Sequence, residues 1–407
     1  MSRTGAFAFL LAFSSSAAFA QTVAQIPDGP NKDLVAEKCT ICHEPRRFLN
    51  ANNNRAAWDN VVHMKINVGA PIEEGDIGKI VDYLVKAVPE QPKTPAMVIA
   101  GPNKAIFHEW QAPTPGSRPH DPLAASDGSI WWAGQMASKL GRLDPKTGEM
   151  KEFKTRIEGS GPHGIIEDRD HNIWFTANFK GYIGKLDPRT GNFTEYKLPE
   201  GTRDPHTPLL APDGVNIFFT AQGANRVGRL NTKTGEAKVV TMPFPKSEPY
   251  GMVFDSHGVP FINEFGANKL ARIDPETLEI KEIVLPNPEA RPRRIAITSD
   301  DRIWYGDYAR GYLGVWDPKT GDVKEYASPG GRKSRPYGIT SIKDVIYYCE
   351  SALGPNTIVR FDPKSEKFQT WEIPSGGGVV RNMMANPDGN LVLATSGVNG
   401  VALVELQ

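Results

Sequence analysis

The chain has 407 residues, more than one core usually fills, so two folded units are the starting expectation. Lys+Arg and Asp+Glu both number 47, and the resulting formal charge of zero excludes the basic excess expected of a nucleic-acid or anionic-membrane partner. Three cysteines are too few for a disulfide framework.

The N-terminus opens with Arg3, runs through apolar Ala6 to Phe13 and ends in Ala18-Phe19-Ala20. That order reads as a secretory signal peptide over residues 1–20, cut after Ala20. The apolar run is shorter than the roughly 20 residues that a membrane anchor needs. No anchor is expected, and the mature chain is expected in the periplasm.

Residues 39 to 43 read Cys-Thr-Ile-Cys-His, the attachment motif of c-type haem. Two thiols separated by two residues match the spacing of the haem vinyl groups, and His43 follows in position to coordinate iron from the proximal face. Asn31 to His43 reads as a helix running into the motif. Ile77, Ile80, Val81, Leu84 and Val88 recur at three- and four-residue steps and place one apolar face on a later helix. Between them lie Trp58 to Met64 and Gly69-Ala70-Pro71.

Residues 37–88 resemble the single-haem class I cytochrome c family. The resemblance implies a small all-α cytochrome c domain, placed here at residues 21–92, with covalent haem c as its cofactor. It also implies a methionine thioether as the sixth iron ligand and puts Met64 in that position. His63, adjacent and chemically able, is the competing ligand and would lower the haem potential.

Residues 93–103 contain Pro95 and Pro102, lack apolar periodicity and read as a short, stiff linker. From residue 104 onward the chain repeats. Leu143-Asp144-Pro145-Lys146-Thr147-Gly148 returns as Leu186 to Gly191 and Leu230 to Gly235. It returns again around Asp274, Asp317 and Asp362, at intervals of 43 to 45 residues. A second phase opens each unit: Pro119-His120, Pro162-His163, Pro205-His206, Pro249-Tyr250, Pro292-Arg293, Pro336-Tyr337 and Val380-Arg381. This period, with short β-branched and aromatic strands such as Ile173 to Thr176, predicts an all-β seven-bladed propeller over residues 104–407. The expected fold is therefore multidomain, with a helical unit followed by the propeller. The last unit lacks an outer strand of its own, so Phe107 to Trp110 is expected to complete the seventh blade.

Residues 119–407 resemble the virginiamycin B lyase family of seven-bladed propellers, on Pro-His-Gly-Ile-Ile, Ile-Trp-Phe-Thr and Ile-Gly-Lys-Leu-Asp-Pro-Arg-Thr-Gly of the second unit. In that family a bound magnesium and a histidine base open a cyclic peptide by eliminating an ester. The resemblance puts the metal and catalytic positions at Glu248, Glu264 and His206, and the base at Tyr250, which departs from histidine. A phenol with a pKa near 10 is a poor base at neutral pH.

Two positions per unit are expected to face the central channel. One is the residue after the opening proline. The other comprises Gly134, Ala177, Ala221, Glu264, Asp307 and Glu350. His120, His163 and His206 suit a transition metal; equally, their imidazoles could bond to neighbouring backbone.

Two functions follow. In the first, haem-mediated electron transfer to a soluble or membrane-bound partner is coupled to a small-molecule ligand or metal in the propeller. In the second, the propeller is a magnesium-dependent carbon–oxygen lyase with an accessory cytochrome. Cys349, in an apolar strand, reads as structural, and His108, His171 and His257 receive no role.

Overall fold

The computed structural model describes residues 26–407, so the expected signal peptide lies outside the described residues. The chain divides between Pro92 and Lys93 into two units.

The first unit holds helices α1 (Lys32–Cys39), α2 (Arg46–Leu49), α3 (Arg55–Asn67) and α4 (Glu74–Ala87). The stripe on α4 buries Ile80, Val81, Tyr83 and Leu84, which join Val35, Ala36, Trp58 and Val62 in one apolar core. Asn54 caps α3 by accepting the Ala57 N–H at 2.9 Å. The helix expected over Asn31 to His43 stops at Cys39. There the Thr40 hydroxyl donates to the Ala36 carbonyl at 2.5 Å, a local side-chain bond that competes with helix continuation. The first thiol thus ends a helix, and Cys42 and His43 follow it on a bend.

The second unit contains seven four-stranded antiparallel sheets among the described residues. Blade one comprises Pro119–Ala124, Ile130–Gly134, Lys139–Leu143 and Met150–Lys154. The next five follow the same order. Blade seven takes Val380–Ala385, Leu391–Thr395 and Gly400–Leu406, then borrows Ala105–Gln111 as its outer strand, with Ala105 opposite Leu406 and Gln111 opposite Gly400. The first strands pack side by side around the whole circle, blade seven's against blade one's. Closure of this kind leaves no blade face exposed.

The second strands are buried on both faces because each blade is covered by its neighbours, which accounts for Trp131-Trp132 and Phe218-Phe219. The third-strand glycine makes room for these rings: a Cβ on Gly141 would lie 1.9 Å from the Trp132 indole. At the repeated turn, Asp144 accepts the Lys146 N–H on its side chain at 2.9 Å and the Gly148 N–H on its carbonyl at 2.8 Å, with Gly148 left-handed at φ 77°.

Residues 93–103, expected as a short, stiff linker, pack along the propeller unit. Thr94 and Pro95 pair in parallel with Leu353 and Gly354. Ile99 exchanges hydrogen bonds with Thr370, and Gln369 donates to the Asn103 carbonyl at 2.6 Å. The segment covers the outer strand of blade six (Lys367–Glu372), whose edge groups would otherwise lie open.

Candidate functional site: the propeller ring and the cleft of the helical unit

Every first strand carries a register shift just after its opening residue, in blade one between Pro119 and Pro122. Such a bulge re-aims side chains. Here two consecutive residues reach across the propeller axis. The upper layer is the ring expected from the sequence. His120 lies against His163 with centroids 3.6 Å apart, His163 against His206 at 3.7 Å, and His206 against Tyr250 at 4.0 Å, each pair of rings tilted by 38° to 53°. The Tyr250 hydroxyl lies 2.6 Å from that of Tyr337, and the Arg293 guanidinium lies 3.8 Å from the Tyr337 ring centre.

The lower layer was not legible in the repeat. Asp121, next to His120, accepts from Arg294 of blade five at 2.7 Å, an ion pair formed across the axis. Asp121 also lies 2.9 Å from His120 Nδ1. The signal that could have revealed it is the Arg293-Arg294 doublet, at a position where three blades hold glycine as the second residue (Gly164, Gly251 and Gly338).

The imidazoles are neutral at physiological pH. Burial holds all three well below the usual histidine value, and nearby arginines add to the effect at His120, His163 and His206. Among the described residues, the histidine and carboxylate donors that gather within 4.8 Å are His120, Asp121 and His163. The expected trio is therefore altered: Asp121 stands in it, and His206 turns its Nδ1 to the Thr207 hydroxyl at 3.0 Å.

The second set of expected channel positions is corrected. Asp307 pairs with Arg310 at 3.1 Å and accepts the Arg291 N–H, while Glu350 accepts from Ser328, Gly330 and Thr357. Each is satisfied by its own blade and the loop leading to it, because the second strand ends beneath that loop. Glu264 differs. It is fully buried, and neither carboxylate oxygen has a hydrogen bond, since the nearby Ser247 hydroxyl donates to Asn225 instead. Burial first, and Glu282 second, push its carboxyl up to about 8, against the pull of Lys269 and of the nearby Ser247 hydroxyl. Glu248 sits on the rim in a left-handed conformation and accepts from Gln222 at 3.2 Å.

Cys349 is buried, burial raises its thiol to about 11, and its sulfur accepts the Gly338 N–H at 3.2 Å, as a structural residue would.

In the helical unit, Cys39, Cys42 and His43 line an apolar cleft of about 240 Å³ together with Trp58, Val62 and Leu84. From α3 the cleft receives Lys65, whose Nζ is 3.5 Å from His43 Nε2. Met64 lies on the flank of α3 outside this lining, and His63 turns its Nδ1 to the Asp59 carbonyl at 2.9 Å. The residues 58, 61, 62 and 65 share one helical face, and Met64 falls beside it.

The model of the virginiamycin B lyase family matches residues 97–361. The chain belongs to that family. Among solved structures, a streptogramin B lyase is 26% identical with a TM-score of 0.68, covering 74% of this chain and 98% of that one. A virginiamycin B lyase from Staphylococcus aureus is 20% identical with a TM-score of 0.66, covering 74% and 99%. The Kuenenia stuttgartiensis hydrazine synthase shares the fold at 14% identity and a TM-score of 0.59, over 70% and 95%. No curated protein sequence matches the chain. All three likenesses cover about the length of the propeller.

Proposed function

We propose that the propeller is a carbon–oxygen lyase of its family's kind, acting on a small molecule held at the ring. Family membership supports this reading, and the Tyr250–Tyr337 contact of 2.6 Å carries it. Elimination requires a base to take a proton from carbon. The adjacent C–O bond then breaks, the oxygen departs as a carboxylate, and a carbon–carbon double bond forms. A lone tyrosine at the base position serves this poorly. The pair serves it better. Burial raises Tyr337, but Arg293, Arg381 and Arg294 outweigh burial and hold it below its ordinary value. Tyr250 is held above its own by burial and by Tyr337. One oxygen of the pair can then take the proton while the other hydroxyl donates to it. Glu248 and Glu264 would hold the magnesium, which supplies Lewis acidity when bound. The unbonded carboxylate of Glu264 fits a cation as its missing partner.

The test is incubation of a cyclic ester peptide such as quinupristin, which has been seen bound to a relative, with the protein and magnesium. Elimination gives a ring-opened product of unchanged mass, whereas hydrolysis adds water. Tyr337→Phe should lower turnover by about 100-fold or more. A parent protein inert toward a range of such esters would sink the reading.

The second reading concerns the helical unit. Its attachment motif lines an apolar cleft, and this supports a c-type haem domain that exchanges single electrons with a soluble or membrane-bound partner in the periplasm. Cys39, Cys42 and His43 would hold the haem, and Met64 or Lys65 from the end of α3 would supply the further ligand. The pyridine haemochrome spectrum of the exported protein should show two thioether links, and Cys42→Ser should reduce them to one. A thioether-to-ferric charge-transfer band that disappears in Met64→Leu would assign the sixth ligand to methionine, and its absence in the parent would assign it elsewhere.

A further inference from the structure

The charges around the ring do not balance. Arg118, Arg293, Arg294 and Arg381 surround it, and among these four only Arg294 has a carboxylate within ion-pair distance among the described residues, namely Asp121. Arg293 instead lies against aromatic faces, 3.8 Å from the Tyr337 ring centre and 4.3 Å from that of Tyr308. The Nε atoms of Arg293, Arg294 and Arg381 are buried without an acceptor, and so is His163 Nδ1. Arg294 and His163 are 4% and 3% exposed, so water does not readily replace the missing partners.

Acidic residues elsewhere on the rim do not supply the balance. Asp204 is engaged by Asn178 and by the Gly223 N–H at 2.8 Å, and Glu248 by Gln222. Both belong to blades three and four, whereas Arg118, Arg293 and Arg381 belong to blades one, five and seven. The uncompensated charge is felt within the group itself: burial, then Arg381, depress the Arg118 guanidinium to about 9.

We infer that the basic arc of Arg118, Arg293 and Arg381, with Tyr337, is a binding site for a multi-oxygen anion, a carboxylate-bearing or other oxoanionic group of the small molecule held at the ring. Guanidinium forks match such groups in pairs of parallel hydrogen bonds. The arc also explains why the histidines beside it stay neutral and why a divalent cation at His120, Asp121 and His163 would meet repulsion. The inference rests on the reading of the ring as the ligand site but not on elimination. In that reaction the arc would receive the departing carboxylate.

The test is binding to the full exported protein of succinate, sulfate and, as the neutral control, succinamide, at constant ionic strength. Calorimetry and thermal shift both serve. The two anions should bind and raise the melting temperature in a saturable way, and succinamide should not; succinate over sulfate assigns a carboxylate, the reverse a tetrahedral oxoanion. Arg381→Met and Arg118→Met should each weaken the anion at least tenfold while leaving the ligand-free protein as stable as the parent or more so. Should either methionine variant fold poorly, Arg381→Lys, which keeps the charge and loses the fork, should bind several-fold more weakly than the parent. Equal effects of anion and amide, or anion binding indifferent to all three substitutions, would overturn the inference. So would a stoichiometric transition metal that is lost in His163→Ala and leaves no anion effect. Anion binding without ester turnover would leave this site standing and remove the lyase reading.

Discussion

Glu264 shows how far one side chain can depart from its neighbours in the repeat. At the same blade position Asp307 and Glu350 each accept several hydrogen bonds, and Glu264 accepts none. Its carboxyl, raised to about 8 from an ordinary 4.5, is protonated in the folded chain and ionised in the unfolded one between those values. Stability therefore falls as pH rises through that window and levels off above it. Glu264→Gln keeps the shape and removes the titration. At pH 8 it should be more stable than the parent by on the order of a few kcal/mol, and the gap should close near pH 4. Denaturant titrations at both pH values check this; a gap that does not change with pH would mean that the carboxylate has found a partner. The sequence placed a carboxylate here, and the family resemblance made it a metal position. It could not tell an orphan from a satisfied acid, since that depends on whether Ser247 turns to Glu264 or to Asn225.

At the scale of the strand, the bulge at the start of each blade decides which side chains reach the axis. The proline-led pairs announced one inward residue per blade, and the ring of histidines and tyrosines follows that pattern. The second inward residue comes from the register shift, which simple alternation does not foresee. The same packing sets a narrow limit at Gly164, where a Cβ would lie 2.1 Å from Pro208 and 2.5 Å from the His206 carbonyl. Gly164→Ala should force blades two and three apart and cost about 1–3 kcal/mol. A lowered urea midpoint checks the cost, and a loosened contact of His163 with His206 should appear as shifted imidazole resonances. An unchanged midpoint would mean that the inner strands slide freely past each other.

For the propeller as a whole, closure depends on one strand contributed from far away in the chain. Ala105–Gln111 pairs along its full length with Gly400–Leu406, and without it blade seven would present an open edge. Deleting residues 104–111 should broaden or abolish the cooperative unfolding of the propeller and produce concentration-dependent association in gel filtration. A deletion variant that stays monomeric and melts like the parent would show that closure adds little. The segment before this strand acts in the same sense, since residues 93–103 lie along the outer edge of blade six and are held there by Thr370 and Gln369.

The amino-acid sequence by itself determined the number of blades, their order, the closing strand, the turn chemistry and the residue types that ring the axis. Each of these is written in local periodicity or in a repeat, and local signals survive without knowledge of the fold. The Cys39-Thr40-Ile41-Cys42-His43 run is likewise a local pattern. The tertiary structure alone decided which charges meet: the Asp121–Arg294 pair across the axis, the contact of Tyr250 with Tyr337, the solitary carboxylate of Glu264, and Lys65 rather than Met64 on the cleft wall. The partners in the first two are 173 and 87 residues apart, and such meetings depend on bulges, helix rotation and the choices of neighbouring side chains. Burial then converts those choices into shifted acidities and unpaired donors, because a group removed from water has only the partners that the fold provides.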